Sequence, residues 1–151
     1  MLAVMAVLAI LALMAIPAMQ DSVLKRQVKD GLALADVAKS GVQAAYSASG
    51  KMPADNKAAG IPDHDKIVGT LVNDVLVEGG AITLTFGNNA NKALEGKKVT
   101  VRPAVVPGES LVPIAWLCHQ TSTPPTMEVQ GSDVTDIPSK WLPIECRTAP
   151  Q

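Results

Sequence analysis

Few residues of this chain have the types and spacing that catalysis or metal binding requires. Asp63, His64 and Asp65 place two carboxylates beside one histidine, a combination that could hold a divalent metal. No second histidine is nearby, and the flanking residues have loop composition, so a solvated loop is the simpler interpretation. The sequence contains no G-x-S-x-G, P-loop or C-x-x-C pattern. We therefore expect that the chain is not an enzyme.

The two cysteines are the other reactive side chains. Cys118 is followed by His119, and a cysteine beside a histidine could form a nucleophilic pair. A disulfide to Cys146 would instead consume the thiol. Two cysteines alone are a weak disulfide signal, which becomes stronger if the chain is exported, because oxidising compartments permit such bridges. The residues alone leave both interpretations open.

Composition limits the classes of function. The 151 residues fit one domain, and the net charge is −1, with all charges beyond residue 20 and both signs interspersed. A strongly basic nucleic-acid surface is therefore not indicated. A smaller patch for DNA capture stays open as an alternative, and its candidate groups are Lys97, Lys98, Arg102, Lys140 and Arg147.

The stretch from Met1 to Met19 contains no charged or polar side chain and just reaches the length of a membrane-spanning helix. It could be a secretory signal peptide, a signal anchor, or a helix that first spans a membrane and later packs against its own copies. A signal peptide would need a basic segment before the apolar run, and none is seen. Lys25, Arg26 and Lys29 would normally keep their side in the cytoplasm. This conflicts with exported cysteines, unless a basic leader once preceded Met1.

A periodic apolar pattern follows Pro17. Spacings of three and four residues predict one face of a helix that packs on the rest of the protein. One helix is predicted from near Met1 to about Ser49, about 70 Å long at 1.5 Å per residue. Pro17 should bend or open it, because proline lacks an N–H and clashes with the preceding turn. The predicted packing face comprises Leu24, Val28, Leu32, Ala35 and Val42, and its stripe also includes Ala38, Ala45 and Ser49.

The remainder predicts an antiparallel sheet. Short alternating segments at 75–77, 81–87, 99–106 and 112–120 read as strands, and a proline-rich tail follows. One long helix and a sheet of about four antiparallel strands give an α+β fold. We expect a hydrophobic segment at 1–22 and a globular unit at 23–151. The latter comprises a helix at 23–49, a loop at 50–74, the sheet at 75–120 and a C-terminal region at 118–146.

The order of these segments resembles the type IV pilins, specifically the type IVa major pilins. LAVMAVLAILALMAIPAMQD is similar to the family's N-terminal helix, and GKMPADNKAAGIP to the loop after it. IVGTLVNDVLVEGGAITLTFG and NKALEGKKVTVRP resemble its strands, while IAWLC and WLPIEC bracket a region like its disulfide-bounded loop. The resemblance therefore implies a bridge between Cys118 and Cys146. It also implies a helix break at Pro17 and filament-core residues Leu2, Val4, Val7, Leu8, Leu11, Leu13 and Ile16.

The function that the resemblance implies is that of a structural subunit, with no cofactor and no small-molecule substrate. The subunit would sit in the inner membrane and then be polymerised by the pilus assembly machinery into an extracellular homopolymer for adhesion, twitching motility or DNA uptake. Host surfaces or DNA would be its outside partners. A DNA-binding minor pilin and a secretion pseudopilin are the alternatives.

Two departures from the family pattern stand out. The family's first residue, a methylated aromatic, and the glutamate that soon follows it are both missing, so we expect that this chain starts several residues late. Ala9 stands where the family commonly has a glycine.

Overall fold

The computed structural model describes residues 1–147, and its N-terminal third is helical. Helix α1 spans Leu2–Leu32 and α2 spans Ala35–Ser49. Alanine, leucine and methionine, which dominate the first nineteen residues, are among the strongest helix formers. Pro17 lies inside α1 without interrupting it in this single subunit. At the other end, the N–H of Gly50, a residue with φ of 69°, donates to the carbonyl of Tyr46 and closes α2.

The expected single helix is interrupted by one turn at Ala33–Leu34. The N–H of Leu34 donates to Gly31 O at 3.1 Å, and that of Asp36 to Ala33 O at 3.2 Å, so the backbone tightens to i,i+3 bonding. Gly31, two residues before Ala33, has its backbone packed closely against the sheet. A Cβ there would come within 2.5 Å of the Phe86 ring. Close packing at Gly31 thus accompanies the interruption that periodicity alone did not reveal.

Five strands form one antiparallel sheet, which confirms the α+β class. The strands are β1 (Val72–Glu78), β2 (Ala81–Phe86), β3 (Lys98–Val105), β4 (Ala115–Cys118) and β5 (Glu128–Val129). The first four are neighbours in sequence order, and β5 pairs with the end of β3 beyond the point where β2 stops. The later half of β3 is therefore flanked on both sides.

The strands differ from the sequence-based expectation most at β1, β4 and β5. Strand β1 begins at Val72 rather than 75. The polar pair Asn73-Asp74 breaks the apolar alternation, but Val72 still pairs with β2 across a register shift. Strand β4 is shorter than 112–120 and ends before His119, whose φ is 49°. Strand β5 was not predicted, since two residues carry no periodicity.

Hydrogen bonds beyond the β5 pairing also fix the proline-rich tail to β3. The N–H of Gln130 donates to Pro103 O at 2.8 Å, and that of Asp136 donates to Lys98 O at 3.1 Å. Two short 3₁₀ helices, Ser139–Trp141 and Ile144–Cys146, complete the tail, and a third lies in the loop before β1 at His64–Lys66. Backbone pairing with β3 and the burial of Ile137 and Leu142 in the core hold the tail in place.

The two helices together form a helical arm, Leu2–Ser49. The core lies between this arm and one face of the sheet. Val28 and Val42 supply fully buried side chains from the helices, and Phe86 lies opposite them on β2. Burial of each such side chain contributes about 1.5–3 kcal/mol. The largest fully buried side chains are Phe86, Ile82, Leu84, Leu94, Leu142, Val28, Val42, Val72, Val75, Val77 and Val99.

Candidate assembly surface

The most unusual surface is the apolar half of α1. Residues 1–20 are all exposed, so this segment, which we call the shaft, projects from the rest of the chain, the head. Exposure of the predicted filament-core side chains runs from 54% at Ile16 to 89% at Leu2. These side chains are Leu2, Val4, Val7, Leu8, Leu11, Leu13 and Ile16. An apolar surface of this extent marks a membrane or protein contact.

By length and composition, the helical arm Leu2–Ser49 contains a segment able to cross a membrane. The shaft from Leu2 to Met19 is about 27 Å long at 1.5 Å per residue, close to the thickness of a bilayer's hydrocarbon core. Gln20 and Asp21 are its first polar residues. The shaft therefore fits either lipid or a bundle of like helices.

The head packs on the other half of the helical arm. Leu24, Val28, Ala35 and Val42 are buried, and Leu32 is partly buried against the same core. Of the wider stripe, Ala38 is buried, Ala45 is half-buried and Ser49 is exposed. The buried position in the last turn is Tyr46 instead, one turn after Val42.

Close backbone approach locks α2 against the loop that follows it. A Cβ on Gly41 would lie 2.4 Å from Ile61 and 2.7 Å from the carbonyl oxygen of Ala59. The side chain of Gln43 on the same helix accepts the N–H of Ile114 at 2.9 Å. The helical arm therefore enters the head as a fixed support for the shaft.

A polar clasp joins the base of the head to the end of the shaft. The indole Nε1–H of Trp141 donates to Asp21 Oδ1 at 2.9 Å, and Lys140 Nζ lies 3.9 Å from the same oxygen. Lys140 also sits 5.1 Å from the centroid of the Trp141 ring, within cation–π range. We call Asp21, Lys140 and Trp141 the clasp. It lies two residues beyond Met19 and holds the head next to the point where the apolar segment ends.

The cysteines form a disulfide between β4 and the last 3₁₀ helix. Cys118 and Cys146 are bonded with Cα atoms 4.6 Å apart, and Cys146 is buried in the core. Their loop encloses the tail, including β5 and the clasp residues Lys140 and Trp141. Because the thiol is consumed, Cys118 and His119 do not form a nucleophilic pair.

Known proteins are similar to this chain in sequence. The sequence pattern of the pilins, described as bacterial filament proteins, matches residues 25–147. The chain is 35% identical to a type IV major pilin protein PilE1 of Neisseria gonorrhoeae over 99% of this chain and 84% of the relative. It is 32% identical to a fimbrial protein of Neisseria meningitidis serogroup B over 99% of this chain and 91% of that protein.

This chain belongs to the pilin family. A third relative, the fimbrial protein EcpC of Eikenella corrodens, is 31% identical over 99% of this chain and 87% of its own length. The resemblance given by the sequence is thus confirmed over nearly the whole pilin, the shaft included.

The histidine of the pilin's Asp63-His64-Asp65 segment pairs with a strand residue. His64 Nδ1 is hydrogen-bonded to Asp74 Oδ1 on β1, and this bond and the charge of Asp74 raise the pKa of His64. Within residues 1–147, no group of three or more His, Cys, Asp or Glu side chains is arranged to hold a metal ion. The pair instead ties the loop before β1 to the sheet.

A second histidine–carboxylate pair joins β4 to the tail. His119 Nδ1 is 2.7 Å from Asp133 Oδ2, and Thr135 donates both its hydroxyl and its N–H to Asp133 Oδ1. Burial alone would raise the pKa of Asp133, but the hydrogen bonds from Thr135 and His119 together lower it. The pair connects the residue after β4 to the part of the tail that follows β5.

The five cations considered for DNA capture do not form a set of free groups. The Arg102 guanidinium donates to His119 O at 3.0 Å, and Arg147 donates from Nε and Nη2 to Leu142 O at 2.8 and 2.6 Å. Both arginines therefore have structural roles inside the head. Lys97 is half-buried, while Lys98 and Lys140 are exposed at β3 and at the clasp.

Sequence reasoning missed the polar centre of the loop after α2. Asn56 is 4% exposed, donates to Pro62 O at 3.0 Å and Val75 O at 2.9 Å, and accepts the N–H of Val77 at 2.7 Å. It fastens the loop to β1 in place of a backbone partner. No local signal distinguishes it from the other loop residues of GKMPADNKAAGIP, because its partners on β1 lie 19 and 21 residues away.

Proposed function

We propose that this pilin is a structural subunit of a type IV pilus and polymerises through its shaft into an extracellular filament. The carrying observation is the contrast between a packed, disulfide-closed head and a shaft whose residues 1–20 are all exposed and apolar up to Met19. Similar proteins bear the names type IV major pilin and fimbrial protein, which supports a major subunit over a pseudopilin.

The physical reason for polymerisation is the burial of the shaft. Burial contributes about 25 cal/mol per Å² of apolar surface. A shaft that buries on the order of 1,500 Å² against its copies would gain tens of kcal/mol over exposure to water, before association costs. Water is therefore the one environment in which the shaft cannot remain, and a bundle of copies is a stable alternative to lipid.

Transfer from lipid to a bundle changes the free energy much less, because both surroundings are apolar. The subunit would wait in the inner membrane, and assembly machinery would drive its transfer in either direction. The head would face water along the filament and carry adhesion, twitching motility or DNA uptake. DNA capture is the weaker candidate among these tasks, since Arg102 and Arg147 are engaged inside the head.

Matched leucine substitutions in cells that make this pilin test the proposal. Leu11 on the shaft is 57% exposed, and Leu111 on the head is 84% exposed. A buried leucine trimmed to alanine loses about 2–5 kcal/mol, so the double variant Leu11→Ala/Leu13→Ala should lower filament yield at least about tenfold. Leu111→Ala should leave the yield unchanged, as counted by electron microscopy with an antibody to this chain.

Membrane fractionation of the same cells completes that experiment. The shaft variant should accumulate in the inner membrane with its disulfide formed, because alanine still permits a spanning helix. Filaments that are unlabelled by the antibody, or shaft and head variants with equal yields, would contradict the proposal.

The shaft should change conformation in the packed filament. Pro17 removes one helical hydrogen bond and crowds the preceding turn, and small side chains at Ala12 and Ala15 leave room for an opened backbone. We expect several non-helical residues between Leu11 and Pro17 in the filament, although α1 is unbroken in the single subunit. A filament map decides this, and a straight helix from Met1 to Ser49 would contradict it.

A further inference from the structure

Filament assembly does not account for the cations just beyond the shaft. Lys25, Arg26 and Lys29 are all exposed, and Asp21, Lys25 and Lys29 follow one another at spacings of four residues. Residues at this spacing share one stripe of a helix. A line of polar groups therefore rises along one flank of α1 from the residue at which the apolar segment ends.

The clasp brings a fourth cation to this flank. Lys140 comes from the tail, more than a hundred residues later, yet its ammonium lies 3.9 Å from Asp21, and its side chain is 62% exposed. The hydrogen bond from Trp141 to Asp21 and the cation–π contact fix its position. We call Lys25, Arg26, Lys29 and Lys140 the basic collar.

The height of the collar matches the headgroup layer of a membrane. With the shaft in the hydrocarbon, Lys25 lies six residues beyond Met19, about 9 Å higher along the helix. The headgroup layer on each side of a bilayer is roughly 5–8 Å thick. Lysine stems can bend toward the surface by several ångströms, so the ammonium groups of Lys25 and Lys140 reach phosphate level.

The collar also concentrates positive charge in a protein that is slightly acidic. Its four cations outnumber the two carboxylates of α1, Asp21 and Asp30, and Glu145, which lines a groove with Lys29, whereas the whole chain carries a net charge of −1. Asp21 is already engaged by Trp141 and Lys140. Trp141 itself adds an indole at the height where membrane proteins prefer tryptophan, at the boundary between hydrocarbon and water.

We propose that the basic collar binds the phosphate groups of anionic lipids while the subunit is anchored in the membrane. The inference rests on the proposed function, because it requires the shaft to span lipid. The collar would then hold the head seated on the surface and set the depth of the shaft.

The clasp tryptophan provides the measurement. In full-length pilin carrying Trp116→Phe, Trp141 is the remaining tryptophan of the chain. The variant is placed in phosphatidylcholine vesicles that contain either brominated phosphatidylglycerol or brominated phosphatidylcholine, whose bromines quench nearby tryptophan. The ratio of the two quenching curves gives the relative occupancy of the anionic lipid beside Trp141.

We expect phosphatidylglycerol to be preferred by about fivefold for each cation that reaches the phosphates. The preference should fall toward one in about 1 M salt, where charges are screened within about 3 Å. Lys25→Gln, which leaves the clasp intact, should lower the preference, and Lys25→Gln/Lys140→Gln should abolish it. Lys57→Gln/Lys66→Gln removes two exposed lysines from the loop after α2 and should leave it unchanged.

The outcomes separate this inference from the function on which it rests. Strong and equal quenching by both lipids would show an inserted shaft with no lipid preference and would overturn the collar's role. Failure of both lipids to quench Trp141 would instead contradict membrane anchoring itself. A preference that disappears when the subunits are diluted in lipid would assign the collar to a neighbouring copy and also overturn the inference.

Discussion

The shaft and the head use the same kinds of apolar side chain for opposite purposes. Leu84 in the head is fully buried by its own chain, whereas Leu8 on the shaft is 56% exposed and has no place in the head's core. The first lies on β2 between paired strands and belongs to the head's core. The second stands on a bare helix.

This difference separates stability from assembly along one helical arm. The head has its own core and bridge, so we expect its folding free energy to be independent of the shaft surface. The shaft surface is then free to exchange between lipid and copies of itself. The clasp at Asp21 lies where the two regions meet, and the turn at Ala33–Leu34 lies within the head.

The largest expected contrast comes from one substitution in each region. Phe86→Ala should lower the free energy of unfolding of the head by about 3–5 kcal/mol, because it leaves a cavity below Gly31 and Val72. Leu8→Ala should change it by less than about 0.5 kcal/mol, as surface substitutions usually do. Urea unfolding in detergent, followed by tryptophan fluorescence, measures both.

Leu8→Ala also provides the reverse test. Its effect should appear in filament yield, which Phe86→Ala affects only through loss of the folded head. Equal destabilisation of the head by the two variants would show that the shaft belongs to the head's cooperative unit, and the comparison would then fail.

Removal of the disulfide should have the next largest effect. Cys118→Ala/Cys146→Ala opens a loop of 27 residues, and the chain-entropy model gives a loss of roughly 3–4 kcal/mol in the free energy of unfolding. The loss should centre on the tail, which is tied to β3 by hydrogen bonds and to α1 by the clasp. Hydrogen exchange should show faster exchange at Gln130 and Asp136 than in β2, and uniform loss of protection would argue against a locally held tail.

The sequence predicted the elements that follow from periodicity. Three features depend only on residues close together in the chain. They are the exposed apolar surface of the shaft, the face formed by Leu24, Val28 and Val42, and the alternation of AITLTFG in β2. Local patterns of this kind determine which residues a helix or strand can present to one side.

The features that were missed depend on distant partners. Strand β5 exists because the tail returns to β3, and Asn56 is buried because β1 passes over it. The turn at Ala33–Leu34 accompanies the packing of Gly31 against Phe86, 55 positions later. Nothing in the neighbouring sequence specifies these contacts, so pattern reasoning assigned the regions to plain loop, tail and continuous helix.

A smaller effect should come from the polar centre of the head. Asn56→Ala leaves the N–H of Val77 and the carbonyl of Val75 without their side-chain partner in a buried place, which costs about 1–3 kcal/mol. Asn73→Ala, an exposed residue at the register shift of β1, is the matched control. The same urea unfolding measurement gives the loss in the free energy of unfolding for both variants. Similar losses would show that Asn56 does not hold the loop on β1.

The smallest expected effect is the loss, at acid pH, of the stability that the Asp133 carboxylate contributes. Burial alone would raise the pKa of Asp133, but bonds from Thr135 and His119 outweigh it and leave the pKa below its ordinary value. A carboxyl with a lowered pKa contributes stability above its unfolded pKa of about 3.9, and this contribution disappears as the pH falls through the folded value. Asp133→Asn should therefore be less stable than the parent at pH 7, and the difference should shrink steadily below about pH 4. Asp36→Asn, on the exposed surface of α2, controls for the loss of one negative charge. A stability difference between parent and Asp133→Asn that stays constant from pH 7 to about pH 2 would show that the side chain acts through shape rather than charge.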